Sequence, residues 1–468
     1  MEKNLKKIKT IAILLIAILI SLIAFVGLYV KEYGIWRNIL PEFNLGMELK
    51  GIRELHFVLD TEETEKEVYV DSEGNYAGDV LDNDNSSTQI TLETDDETVA
   101  EPEENKDIEG YTRETRTIKA NEDNVKTIEN FEKSKKIIQK RLETMDFYEY
   151  NIRQDTVTGE VVIEVPDDDN VGIEQTMIST IGNIEIIDEQ TGLILINNSH
   201  VKKATMLASA EDGYQAYLQL DFDDVGKEKL KEISNKYQTV TAEDGTQTTN
   251  YISIKMDDQV LCTTYFAEEL ASGSIQLPMG SATTDYNEYI EIAQSVSMIA
   301  DIINEESMPI AYTLSSDNHI NSAITTDIIK IAGIVCAILV IAISVYLIVK
   351  FKFEGFKSAI LSIAYIAILS IIVRYTNVVI TINAIIALLA VIIINYVFNI
   401  KFLQGLRKEN NKKIVLAETM KELYLTIIPV CIISIIFTFM SSVVISSIGM
   451  ILFWGIFVQA LCSCLVLL

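Results

Sequence analysis

The chain has 468 residues, a formal net charge of −29 and a mean hydropathy of +0.23, so charged and apolar residues must occupy different segments. Only six of the 67 acidic residues lie outside 31–326, against 15 of the 38 Lys and Arg, which leaves the middle region at a net charge of about −38. A polyanion of that kind repels nucleic acid and excludes it as a partner.

Residues 1–10, MEKNLKKIKT, carry four lysines ahead of a 20-residue apolar run at 11–30. The run is longer than a signal-peptide core and no Ala-x-Ala site closes it, so a retained anchor helix is expected, with the lysines holding 1–10 in the cytoplasm. Residues 31–326 then form an extracytoplasmic α+β domain. LGMELKGIRELHFVLD, 45–60, predicts a turn and a strand with alternating inward and outward residues, His56 facing solvent. No second His or Cys lies close enough in the sequence to make His56 a metal ligand. Residues 61–110 are rich in Asp, Glu, Asn, Ser and Thr and predict an acidic, disordered insert. Asp82, Asp84 and Glu93 there lack the spacing of a calcium loop.

Apolar periodicity resumes at 125. It predicts a helix through 145, a strand at 160–165 stopped by Pro166, a helix at 171–181 and a strand at 183–188, together a lobe of about 41–190. A second lobe, about 191–314, is expected from a strand at 214–222, an amphipathic helix at 225–237, a hairpin with strands at 251–256 and 260–265, and a helix at 287–304. Asp257 and Asp258 read as turn residues of that hairpin. Cys262 is the sole cysteine of this region, so no internal disulfide is expected.

Residues 327–468 predict a five-helix transmembrane bundle, with spans near 328–349, 358–373, 378–400, 425–440 and 442–468. Lys350, Lys352 and Lys357 fall in one loop. Lys401, Arg407, Lys408, Lys412, Lys413 and Lys421 fall in another. Both loops come out cytoplasmic in this topology. Arg374 sits at an outer helix end, where it can snorkel to the headgroups. The run 378–400 is uncharged yet carries Thr381, Asn383, Asn395 and Asn399. Asn395 and Asn399 are four apart and share a helix face, which must meet protein or water rather than lipid. They serve either to hold helices together or to line a path for an ion. The last span runs to Leu468 with no polar tail, as in a truncated chain. The expected fold class is a membrane protein of six transmembrane α-helices, one plus five, with a large extracytoplasmic α+β domain. No Walker loop, dinucleotide fingerprint, HExxH or nucleophile elbow occurs, so no enzyme is expected, and no catalytic, cofactor-binding or metal-binding residue is assigned.

Several stretches, in order, resemble a known family. LGMELKG at 45–51, with Leu45, Gly46, Glu48 and Gly51, is similar to a family LGLDLxGG. IIQKRLETMDFYEYNI at 137–152, with Arg141, is similar to IxxRxxxxGxxExxI. VVIEVPDDDN, with Pro166, resembles IxVxLPGxxD. TIGNIEIID, with Gly182, resembles IGxTAxLEF. LDFDDVGKEKLKEIS places Gly226 before an amphipathic helix. ISIKMDDQVLCTTYFAEELASGSIQL, with Gly273, is similar to IAIxLDGxVxSAPxVxxxIxxGxxxI, and SMPIAYTL stands where the family has GALPxPL. The chain so resembles the SecD family, accessory subunits of the bacterial Sec protein-export translocase within the resistance-nodulation-division superfamily. The resemblance implies a multi-pass protein of the bacterial cytoplasmic membrane that assists preproteins outside the bilayer. It implies as partners a SecF-like subunit, the SecYEG channel, unfolded preproteins and the lipid bilayer. Two other functions fit the same layout: a transporter of lipid or small molecules, and a structural organiser without coupled motion. Where the family has VDANVLIFERIxEE, this chain has IINYVFNIKFLQGLRKE, with Asn395 near the Asp, and its next span has no acid. Amides do not exchange protons near neutral pH, so these spans lack the titrating group that a proton relay needs.

Overall fold

The computed structural model describes residues 2–465 apart from 33–34, 82–107, 168–177, 211–212, 239, 242–246, 249, 258, 267–268, 323, 325 and 410. Two α+β lobes and an apolar helix bundle are built from it. The first lobe is an antiparallel sheet of β3 (Ile52–Leu59), β7 (Asn151–Gln154), β8 (Val161–Pro166) and β18 (Tyr312–Ile320), in the order β18-β3-β8-β7. Helix α3 (Ile128–Thr144) packs on it, started by Thr127, whose side chain accepts from Asn130 N. Phe131, Ile137, Ile138 and Leu142 of α3 bury themselves against Leu55, Phe57, Val161, Ile163 and Val165 of the sheet. His56 lies half-exposed between buried Leu55 and Phe57, next to Glu54.

The second lobe is built on two larger sheets, with a two-stranded one of β13 (Val240–Thr241) and β14 (Gln247–Thr248) besides. Of the larger two, one is β10-β9-β15-β16: β9 (Ile184–Asp188), β10 (Ile194–Asn197), β15 (Ile252–Met256), β16 (Gln259–Thr264). The other is β11-β12-β17: β11 (Val201–Ser209), β12 (Tyr214–Phe222), β17 (Ser274–Thr283). Helices at Asp224–Lys236 and Tyr286–Asn304, here α4 and α5, complete one apolar core with them. The lobe boundaries differ from those read in the sequence. β9 pairs with β15 and belongs to the second lobe, while the chain returns after α5 to lay β18 on β3 in the first. Sequence periodicity reports local elements, and this long-range pairing has no local signal.

The expected insert is also corrected. Within 61–110, β4 (Glu63–Val70) and β5 (Tyr76–Asp79) form a sheet with β6 (Thr112–Lys119). ETEKEVYV ends in Val68, Tyr69 and Val70, all buried, and its charges find partners on both neighbouring strands, Glu63 with Lys119 of β6 at 3.0 Å and Lys66 with Asp79 of β5 at 3.3 Å. Cross-strand charge pairing and a β-branched end outweigh the acidic composition there. Asp82, Asp84 and Glu93 lie outside the described residues, as does most of the helix expected at 171–181.

The anchor, α1 (Glu2–Val26), ends four residues earlier than expected. Gly27 adopts φ +105° and stops it, and Asn38 Oδ1 accepts from Leu28 N at the start of a hairpin of β1 (Tyr29–Glu32) and β2 (Ile35–Asn38). In the bundle, α6 (Thr326–Tyr375) covers the first two expected spans. Its apolar part, Gly333–Tyr375, is 43 residues, about 65 Å of helix and about twice the hydrocarbon thickness. A single residue, Lys352 at φ +52°, breaks it. Then come α7 (Ile382–Lys408), α8 (Lys412–Thr438) and α9 (Val443–Leu465). Among the described residues, three helices are long and apolar enough to cross a membrane, four if the halves of α8 count as one span. Those halves bend by 57° ahead of Pro429, which removes a helical hydrogen bond and crowds the preceding turn. The protein is thus a membrane protein with a sheet-rich domain.

Candidate functional site

Three buried polar arrangements join parts of this molecule that are distant in sequence. The first fixes the sheet-rich domain to α7. Residues 44–46 run beside Ile380: Ile380 N donates to Asn44 O at 2.7 Å and Gly46 N to Ile380 O at 3.0 Å. Helix α7 then begins, and its first N–H groups need acceptors. Thr381 Oγ1 takes Ala384 N at 3.1 Å and Glu48 Oε2 takes Ile382 N at 3.1 Å. A carboxylate at that end also favours the helix dipole. Glu149 Oε2 in turn accepts from Met47 N at 2.6 Å. Asn377 Nδ2 donates to Tyr148 Oη at 2.7 Å, and Phe43 packs into the core of the bundle. Leu45, Gly46 and Glu48 are therefore all at this joint. Gly51 lies just behind it, at φ +104°, facing Ile320 O where a side chain would collide. Its carbonyl accepts from Asp167 N, next to Pro166 at the end of β8.

Glu149 was missed as a site residue, although it falls on the Glu of the IxxRxxxxGxxExxI pattern. The pattern's Gly falls on Asp146, whose φ is +62°, a conformation that Asp tolerates better than most residues. Burial, together with neighbouring Glu48, pushes the Glu149 carboxyl above its ordinary 4.5, against the pull of the Met47 N–H. Between the ordinary carboxylate range and that raised value, the folded joint holds a proton that the unfolded chain has released. Stability from this group is present below the ordinary carboxylate range and falls as pH rises through the raised value. Glu149→Gln is expected to stabilise the joint at neutral pH and flatten that dependence, because its amide oxygen can still accept from Met47. Glu149→Ala is expected to cost about 1 kcal/mol through the stranded N–H. Thermal melts of the full chain at pH 5 and 7.5 check both; a Gln variant with wild-type pH dependence would remove Glu149 from this role.

The second arrangement joins the two lobes. Segment 178–183 is held from both sides. On its carbonyls, Arg141 of α3 donates from Nη1 to Ile178 O at 3.1 Å and to Thr180 O, and from Nη2 to Ile181 O at 3.4 Å. On its amides, Asp257 of the β15–β16 turn accepts from Ile181 N at 3.0 Å, Gly182 N at 3.3 Å and Asn183 N at 2.9 Å. Gly182 has φ +86° with Ile302 against it, so a side chain there is excluded twice over. Glu305 lies 3.7 Å from Arg141 Nε. Burial lowers the Arg141 guanidinium to about 10, still charged at neutral pH. It raises Asp257, which the three N–H donors and Arg141 counter. Asp257 does occupy its turn, at φ +55°; its bridging of the lobes was not visible in the hairpin sequence.

The third is the amide cluster in the bundle. Asn395 Nδ2 donates to Gln459 Oε1 on α9 at 2.5 Å. Asn399 Nδ2 donates to Ser362 Oγ on α6 at 3.0 Å and to Asn395 Oδ1 at 3.1 Å. All four residues are buried, so the expected face of α7 ties α6, α7 and α9 together. Asn383 is exposed and takes no part; Thr381 stands at the start of the same helix, as the N-cap of α7. Gln459, the lone amide in the apolar run of α9, was the sequence signal for this partner; Ser362 had none. Gly226 and Gly273 lie elsewhere, in the second lobe. Phe222 N donates to Gly273 O at 3.0 Å, and Gly226 lets α4 pass close to His200 and Phe222.

Neither a family model nor a curated protein matches the chain. It is similar to solved structures of SecDF. One, in a super-membrane-facing form, is 14% identical, with a TM-score of 0.47, and the match covers 99% of this chain and 56% of that one. A second, described as a translocon-associated membrane protein from Thermus thermophilus, is 15% identical, with a TM-score of 0.41, covering 99% and 58%. A third, described as a membrane component that enhances protein export, is 13% identical, with a TM-score of 0.30, covering 41% and 93%. The chain spans less than two thirds of the length of the first two.

Proposed function

We propose that this chain is a SecD-like accessory subunit of the protein-export translocase in a bacterial cytoplasmic membrane. It works without covalent chemistry of its own. Its sheet-rich domain stands outside and holds emerging preproteins, and it acts with a SecF-like subunit beside the SecYEG channel. The observation that carries this reading is where the motif residues fall. Leu45, Gly46 and Glu48 sit on the domain–membrane joint, and Arg141 and Gly182 on the joint between lobes. Motif residues at the joints of a two-lobed domain suit a protein that transmits movement between bilayer and lobes. The six-span topology follows if α6 counts as two spans broken at Lys352, α8 as one bent span, and α1 as an anchor. Lys350, Lys352, Arg407 and Lys412 gather near the opposite end of α7 from the domain joint, as a cytoplasmic face requires. Purification of the full chain from its own membranes is expected to bring the Sec channel with it. Recovery of a lipid-export partner without the channel would favour a transporter instead. An impermeant thiol reagent on intact cells should label Val157→Cys in a background without Cys262; protection until lysis would overturn the orientation.

Any proton coupling in the complex should then come from a partner, because the amide cluster cannot titrate. Asn395→Leu is expected to weaken the bundle by about 1 kcal/mol and leave the gradient dependence of export unchanged. Export into inverted vesicles with and without an uncoupler reads this. Selective loss of the gradient-dependent part in a well-assembled variant would put Asn395 on a coupling path.

A further inference from the structure

Beside the domain–membrane joint lies an apolar cavity of about 220 Å³. Phe25 of α1, Phe43, Leu369 and Val373 of α6, and Ala384 and Leu388 of α7 help to line it. It is larger than an apolar cavity of ~150 Å³ that takes up benzene, so it has room for part of a hydrocarbon chain. Phe25 is 59% exposed, which places this wall at the perimeter of the bundle, toward lipid. The rim is not apolar. The Arg374 guanidinium, next in sequence to Val373, stacks over the Phe43 ring at 4.2 Å. Its Nε is buried without a hydrogen-bond partner among the described residues, and no carboxylate pairs with it there. A planar cation with free donors at a membrane interface suits a phosphate, which can accept from two of its N–H groups at once.

We propose that this site binds one anionic phospholipid from the leaflet on the domain side, its phosphate on Arg374 and the start of one acyl chain in the cavity. The lipid would complete the packing of Phe43, and with it the joint between domain and bundle. Charge decides the class of occupant: an uncharged hydrocarbon fills the cavity but leaves Arg374 unmatched. The site stands whether or not the chain acts in protein export, since binding is read without an export assay.

Native mass spectrometry of the full chain, released from detergent with added phosphatidylglycerol or phosphatidylcholine, tests it. The wild type should retain one phosphatidylglycerol and release phosphatidylcholine. Arg374→Gln should lower retention of phosphatidylglycerol about tenfold, the loss of one charge-assisted contact of about 1.4 kcal/mol. Ser370→Phe, which fills the cavity, should abolish it. Phosphatidylglycerol with a photoactivatable acyl chain should crosslink the wild type within 366–373 and 380–392. Wild-type retention in both variants, equal retention of the two lipids, or crosslinks spread evenly over the spans would each overturn the proposal.

Discussion

Replacing Arg141 with Met is expected to destabilise the sheet-rich domain by about 3–5 kcal/mol, the usual cost of removing one partner from a buried charged set. The side chain is 1% exposed and is the donor to the carbonyls of Ile178, Thr180 and Ile181. Methionine fills much of the volume but leaves those carbonyls without it and Asp257 and Glu305 without their nearest buried cation. Arg141→Lys retains the charge and loses the fork, so an intermediate loss is expected. Pulse proteolysis of the full chain in urea, following fragments of both lobes, measures it. The two lobes should lose protection together, because segment 178–183 belongs to both. A Met variant within about 0.5 kcal/mol of wild type, the range of ordinary surface substitutions, would show that Arg141 does not hold this joint.

The second large effect is expected at Gly46. Its φ of −72° and ψ of 166° suit any residue, so backbone strain is not at issue. Space is. A Cβ there would stand 2.7 Å from Glu149 Oε2 and 3.2 Å from both Thr381 Cγ2 and Val379 Cγ1. Valine adds two more carbons against the same walls. Gly46→Val is expected to cost about 1–3 kcal/mol as overpacking and to part the 44–46 segment from Ile380, with Glu48 drawn off the α7 cap. Hydrogen exchange at Ile380 and Ile382 should speed up while the amides of β3 and β8 keep their protection. Unchanged exchange at 380–382 would mean that the domain is held to the bundle by other contacts.

Much of this architecture was legible in the sequence, and the gaps have physical causes. Helices α3, α4 and α5 and strands β3, β8, β9 and β12 show their buried faces as periodic apolar residues. The hairpin at Asp257 shows itself as turn chemistry. β18 does not: beyond Tyr312 and Leu314, YTLSSDNHI has no apolar face, and it becomes a strand because β3 offers it an edge. β4 is hidden in the same way by an acidic sequence whose partners lie some fifty residues on. In the site, Asn395 and Asn399 announce a buried face because amides in an apolar run must be satisfied. Their partner Ser362 is invisible, since one serine in a span satisfies itself locally as often as not. The joint at 44–49 was legible only as a motif. That Glu48 caps a membrane helix more than three hundred residues away is a property of the folded chain.

The most direct test of a SecD-like role is the yield of a preprotein translocated into proteoliposomes that contain the SecYEG channel, its motor and a SecF-like subunit, with and without the full chain. Wild-type chain should raise the yield, Gly46→Val should lose that gain while still inserting into the bilayer, and Glu149→Gln should keep it. No gain from the wild-type chain, or the same gain from Gly46→Val, would contradict a role in which the outer domain works through its joint with α7.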